Sequence, residues 1–123
     1  MPANGKFEDI RPYRDEEVPE VIGRILRDKS FTNLLRYVYP DDNLDPIKER
    51  VASVKTIADF QAKVAYPALR KLVNETTESI TVSGLENIKS DGAHLFISNH
   101  RDIILDSAIL NIILYEAGLG TFE

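Results

Sequence analysis

Apolar residues recur at helical spacing through the first half of the chain. Val18, Val21, Ile22, Ile25 and Leu26 follow Asp15, a candidate N-cap, and predict a short amphipathic helix. Ser30 can cap a second helix that presents Phe31, Leu34, Leu35 and Val38 and is stopped by Pro40 and the turn-rich Asp41-Asp42-Asn43. The apolar stripes of these two helices are expected to pack as a hairpin. Asp45 followed by Pro46 places a cap and then a first-turn proline before a third helix, whose apolar face is Ile47, Val51 and Val54. Thr56 with Asp59 three residues on has the form of a capping box for a fourth helix carrying Phe60, Val64, Ala68 and Leu72, with a kink expected at Pro67.

The pattern then changes. Ile80-Thr81-Val82 is β-branched and alternating, and Gly84 follows as a break or bulge, which predicts a strand. Ser90-Asp91-Gly92 is a turn. Residues 93–97 form a short, nearly continuous apolar run, the pattern of a strand buried on both faces as in a parallel sheet. A helix over about 102–116 follows, closed by Gly118. The expected fold class is therefore α/β and α-rich: a helical region over 1–76, then the first strands and helix of an α/β domain over 77–123. One or two strands cannot build the covered parallel sheet that such apolar runs demand, so more chain is expected after Glu123.

Composition narrows the function classes. A chain of 123 residues suits one compact domain, and 43% hydrophobic with 28% charged residues argues for a packed core rather than disorder. A net charge of −5 offers no general attraction for a polyanion, so nucleic acid is not an expected partner. The chain has no cysteine, which excludes disulfides and thiolate chemistry, and its two histidines are too few for a histidine metal cage. No metal and no bound cofactor are expected. The polar, charged N-terminus does not read as a signal peptide, and the apolar stretch over 103–119 is interrupted by Asp106, Asn111 and Glu116. A cytoplasmic protein is expected. Arg24, Arg27, Lys29 and Arg36 cluster around the first two helices, which suggests either peripheral contact with an anionic membrane face or the solvated edge of a packed helix pair.

Candidate chemistry lies in Ser98-Asn99-His100-Arg101-Asp102, expected at a strand end directly before a helix. A helix N-terminus disfavours the imidazolium, so His100 would be held as the neutral base. Asp102 and Asp106 are four apart, on one helix face, and either could pair with it. The competing structural account makes Asp102 a helix cap, Asp106 a solvated acid and His100 a turn residue. Ser98 does not sit in a nucleophile elbow. His94 reads as a strand histidine satisfied within the fold.

A Gly-Leu-Glu-Asn-Ile segment from Gly84, a turn, then Leu-Phe-Ile-Ser-Asn-His-Arg-Asp from Leu95 and a helix containing Asp106 together resemble the opening of the PlsC-like glycerolipid acyltransferase family. The resemblance covers roughly 80–114. It implies an α/β catalytic domain preceded by helices, in which His100 removes a proton from an acceptor hydroxyl and an aspartate orients it. The family's aspartate follows the histidine after four residues; here that position is Leu105, so Asp106 is the favoured partner and Asp102 the alternative. Arg101 and Asn99 become candidate substrate-binding residues, Arg101 toward a phosphate or pantetheine group. The implied reaction moves a fatty acyl group from acyl-CoA or acyl-carrier-protein to a glycerol-phosphate-type or lysophospholipid hydroxyl, with no acyl-enzyme. The family's Glu-Gly-Thr-Arg type segment, which grips the acceptor phosphate, has no counterpart here, so this chain is expected to be an inactive piece of the enzyme. The alternatives are a non-enzymatic helical interaction domain and, behind both, a hydrolase in which His100 and an acid activate water.

Overall fold

A computed structural model describes Gly5 and residues 7–121. The chain divides into two compact units, Met1–Pro67 and Ala68–Glu123. The division falls at Pro67, where the sequence pattern placed it after residue 76.

The first unit is built from helices α1 (Val18–Arg27), α2 (Lys29–Val38), α3 (Leu44–Ala52) and the short α4 (Ile57–Phe60), followed by a π turn over Gln61–Ala65. Its core is Val18, Ile22, Val51, Val54 and Val64, with Ile25, Leu26, Phe31, Ile57 and Phe60 packed around it. The apolar stripe read from α1 thus finds its main partner in α3, with α2 a lesser neighbour. β-Branched valines suit this role because they enter the core with little rotamer freedom left to lose.

Most of the helix caps sit one or two residues from the positions expected of them. Asp28 alone links α1 to α2, and its side chain, not that of Ser30, accepts the first free amide of α2. Asn43 rather than Asp45 caps α3, leaving Pro46 in the first turn, where a missing N–H costs nothing. Asp15 does not cap α1. It lies in a 3-10 turn over Asp15–Glu17, and its Oδ1 accepts the amide of Ile57 at 2.9 Å, tying the start of α4 to the approach to α1. Thr56 does cap α4: its Oγ1 accepts the Asp59 amide at 3.0 Å, while Asp59 reaches back to the Lys55 amide at 3.1 Å.

Pro67 cannot donate to the helix, and its ring would meet the carbonyl four residues earlier. The chain answers with the π turn, in which the Tyr66 amide reaches back five residues to the Gln61 carbonyl. Ahead of α1, Arg11 grips both carboxylate oxygens of Glu17 at 2.8 Å and Glu8 at 2.7 Å. That guanidinium, helped by the Arg14 amide, pulls the Glu17 carboxyl down to about 2.

The second unit holds most of α5 (Tyr66–Thr76), a largely irregular tract interrupted by a 3-10 turn over Leu85–Asn87, and α6 (Leu105–Glu116). Val73, Ala108, Ile112 and Leu114 are its buried apolar residues. Arg70 of α5 pairs with Glu116 of α6 at 3.3 Å. Gly118, at φ +71°, lets the Leu119 amide return to the Leu114 carbonyl and its own amide to that of Tyr115, so α6 ends in a Schellman motif as its glycine predicted.

The α/β expectation fails. Among the described residues there is no strand and no sheet, and the fold is all-α. Residues 80–82 and 93–97 do not form strands, and the Leu85 segment is a 3-10 turn entered through Gly84 at φ +84°. The physical reason is partnership: a strand is held by hydrogen bonds to a neighbouring strand, and β-branched composition alone supplies none. Leu95 and Ile97 are left 85% and 88% exposed, the reverse of the burial their apolar run predicted.

Val51 is 1% exposed at the centre of the first core, whereas Leu34 is more than half exposed on α2. Val51→Ala is expected to lower unfolding free energy by about 2 kcal/mol, and Leu34→Ala to stay within about 0.5 kcal/mol, as read by urea unfolding.

Candidate functional site

The start of α6 organises the candidate site. Asp102 precedes the helix, and its Oδ1 accepts the amides of Ile104 and Leu105 at 2.9 and 2.8 Å, two of the donors that a helix start leaves without partners. Asp106, the second residue of α6, points back: its Oδ2 accepts the amides of Arg101 and Asp102 at 2.7 and 2.9 Å. The two aspartates therefore cap in opposite directions, each satisfying backbone on the other's side.

His100 joins this arrangement through its Nδ1, 3.4 Å from Asp106 Oδ2. That is an ion-pair distance, somewhat longer than an ordinary N–H···O hydrogen bond. The ring is 69% exposed while the Asp106 side chain is 28% exposed, so the carboxylate is sheltered and the imidazole reaches solvent. Of the two acids that spacing offered, the structure brings Asp106 to His100 and turns Asp102 to the helix.

Both carboxyls are held below the usual aspartate range. For Asp102 the leading cause is the Leu105 amide, followed by that of Ile104. For Asp106 it is the Asp102 amide, with the Arg101 amide and nearby His100 adding to it against partial burial. Both remain charged near neutrality, which suits an acid that is to orient an imidazole and stabilise its cation.

His100 and Asp106 stand at the edge of a cleft of about 540 Å³. Ile103, Leu110, Leu114 and Leu119 give it an apolar lining, and Phe96, Ser98 and Ser107 also line it, the Ser107 hydroxyl donating to the Ile104 carbonyl. Asn99 and Arg101 are exposed and lie outside this lining; Arg101 enters the site through its backbone amide. His94 also lines the cleft, its Nε2 2.9 Å from the Lys89 carbonyl across the turn at Ser90-Asp91-Gly92. Among the described residues no three His, Cys, Asp or Glu side chains gather as a metal site would require. Sequence reasoning did not find Ser107 or the apolar lining. The signal was present in the i, i+3, i+7 run of Ser107, Leu110 and Leu114 along one face of α6.

Comparison with family models, with curated proteins and with solved structures returned no match.

Because both aspartates titrate lower in the folded chain than in the unfolded one, their contribution is full above the ordinary aspartate value of about 3.9 and fades as pH falls through the lower folded values. Asp102→Asn removes one such group. Its stability deficit relative to the parent, measured by denaturant unfolding from about pH 6 to about pH 2.5, is expected to shrink as the medium is acidified. A deficit constant with pH would show that the Asp102 charge is not linked to folding.

Proposed function

We propose that His100 and Asp106 form the proton-transfer pair of a glycerolipid acyltransferase. The observation that carries this reading is the His100 Nδ1 to Asp106 Oδ2 approach of 3.4 Å at the edge of an apolar cleft. It is supported by the likeness of the Leu95-to-Asp106 segment to the family's histidine motif, and it does not depend on a sheet.

With a proton on Nδ1 facing Asp106, the His100 Nε2 lone pair accepts the proton of the acceptor hydroxyl as that oxygen attacks the thioester carbonyl of acyl-CoA or acyl-carrier-protein. The tetrahedral adduct collapses with cleavage of the carbon–sulfur bond, the acyl group stays on the acceptor oxygen, and the imidazolium returns its proton to the thiolate. Asp106 stabilises the transient imidazolium. The hydrocarbon part of the donor finds a matching environment along Leu110, Leu114 and Leu119. Acceptors are of the glycerol-phosphate or lysophospholipid class. No segment of the chain matches the family's phosphate-gripping motif, so the chain by itself is expected to be inactive.

Lipid substrates place the protein in the cytoplasm against a membrane surface. Among the described residues no helix is long and apolar enough to cross a membrane. Contact would instead run through Arg24, Arg27, Lys29 and Arg36; all four are exposed, and α2 carries no acidic residue.

A second reading, a helical interaction domain, is favoured by the exposed Leu95, Ile97, Ile103 and Ile104 of the second unit. Thiol release from acyl-CoA in the presence of glycerol-3-phosphate or a lysophospholipid separates the two. Where a protein carrying this chain shows transfer, His100→Ala and Asp106→Ala are expected to lower the rate by about 10²- to 10⁴-fold while leaving helix content intact. Undiminished transfer by His100→Ala would sink the acyltransferase reading. In flotation assays, vesicles containing phosphatidylglycerol should retain the protein better than neutral vesicles, and Arg36→Glu with Arg27→Glu should abolish the difference; equal retention removes the membrane contact.

A further inference from the structure

We propose that Asp102 is a positioning residue for His100, acting through Asp106 rather than touching the imidazole's proton itself. The inference rests on the acyl-transfer reading for its consequence in catalysis, but its structural content stands apart from it.

Asp106 Oδ2 serves three groups at once: the Arg101 amide at 2.7 Å, the Asp102 amide at 2.9 Å and His100 Nδ1 at 3.4 Å. The two amides belong to the residues that directly follow His100, so their placement fixes where the imidazole stands relative to the carboxylate. Asp102 in turn grips the amides of Ile104 and Leu105 through Oδ1, at 2.9 and 2.8 Å. Leu105 immediately precedes Asp106. Asp102 therefore closes a ring of bonds: its backbone holds the Asp106 side chain, and its side chain holds the backbone from which Asp106 projects. The Arg101 amide adds a second tie from the turn to the same carboxylate oxygen.

The histidine contact is the longest of the three and hence the most easily lost. A polar contact already beyond the ordinary hydrogen-bond range weakens further with a few tenths of an ångström of drift. If the turn relaxed, Asp106 would keep its charge but lose its hold on Nδ1. The ring would then be free to carry its proton on Nε2, the nitrogen that a general base must leave unprotonated. A carboxylate facing an unprotonated Nδ1 is electrostatically unfavourable, so the position of Asp106 selects the tautomer, and Asp102 sets that position.

The test reads the tautomer directly. In ¹⁵N imidazole spectra of the full chain at a pH where the ring is neutral, with His94 signals identified by comparison with His100→Ala, the parent is expected to show His100 with its proton on Nδ1. Asp106→Ala should move it toward the Nε2–H form. Asp102→Ala should move it the same way, and Asp102→Asn, which keeps an oxygen acceptor at the cap, should restore the parent spectrum. A parent-like spectrum for Asp102→Ala overturns the proposal, as does an Asp102→Asn spectrum matching that of Asp102→Ala, which would make charge rather than the cap decisive. Should Asp102→Ala fail to hold α6, Asp102→Gly is read by the same criteria, since glycine is tolerated at a cap without offering an acceptor. Where a protein carrying this chain shows transfer, Asp102→Ala is expected to lower kcat by about tenfold to a hundredfold with KM within about twofold, and Asp102→Asn to recover it. Absence of transfer by every protein that carries the chain would refute the acyltransferase reading while leaving the tautomer result, read on the chain itself, to decide the role of Asp102.

Discussion

Amide groups at the start of a helix must find an acceptor, and this chain meets that demand at four helices with a short acidic, amide or hydroxyl side chain. Asp28 serves α2, Asn43 serves α3, Thr56 serves α4 and Asp102 serves α6. The helices are short, four to twelve residues, so the unsatisfied ends are a large fraction of each one's hydrogen bonds and the caps decide where each begins. Two caps do more than end a helix. Asp15 carries an acceptor to Ile57 from forty-two residues away, and Asp106 carries one from inside α6 back to the turn that holds His100. The first closes the core of the first unit; the second shapes the candidate site.

The helical half of the fold was legible because its signal is periodic and locally supported. The apolar stripe of α1, the stop at Pro40, the box at Thr56 and the glycine end of α6 all agree with the structure, since each rests on contacts within a few residues. Cap positions were missed by a residue or two because Asp, Asn and Ser crowd the same junctions, and all of them are competent acceptors. The strand expectation failed for a different reason. Residues 80–82 and 93–97 have strand composition, but composition registers only a preference for the pleated surface, and the hydrogen-bonding neighbour that turns preference into structure is a non-local fact.

The same distinction separates the parts of the candidate site. The spacing of His100, Asp102 and Asp106 placed both acids within reach of the ring, which is a local property of a turn entering a helix. Which acid faces it was not readable, because the choice depends on which backbone amides each carboxylate has already engaged. Asp102 is committed to Ile104 and Leu105, two and three residues ahead, an Asx-type turn that leads into α6, whose N-cap position is Ile104. That leaves Asp106 for His100. Residues 103–104 form a turn before the helix proper, which sets Asp106 in the first turn of α6.

Asp106 also shows how one carboxylate can be both structural and chemical. Two amides aimed at it lower its affinity for a proton, which keeps it charged, but they also spend the lone pairs that would otherwise strengthen its bond to the imidazole. A firmer grip on the turn means a weaker pull on Nδ1, and the 3.4 Å separation is where that compromise rests. Under the proposed acyl transfer, a partner that holds the imidazolium only moderately suits a base that must return its proton to the departing thiolate. The same carboxylate thus ties the turn and stands beside the imidazole.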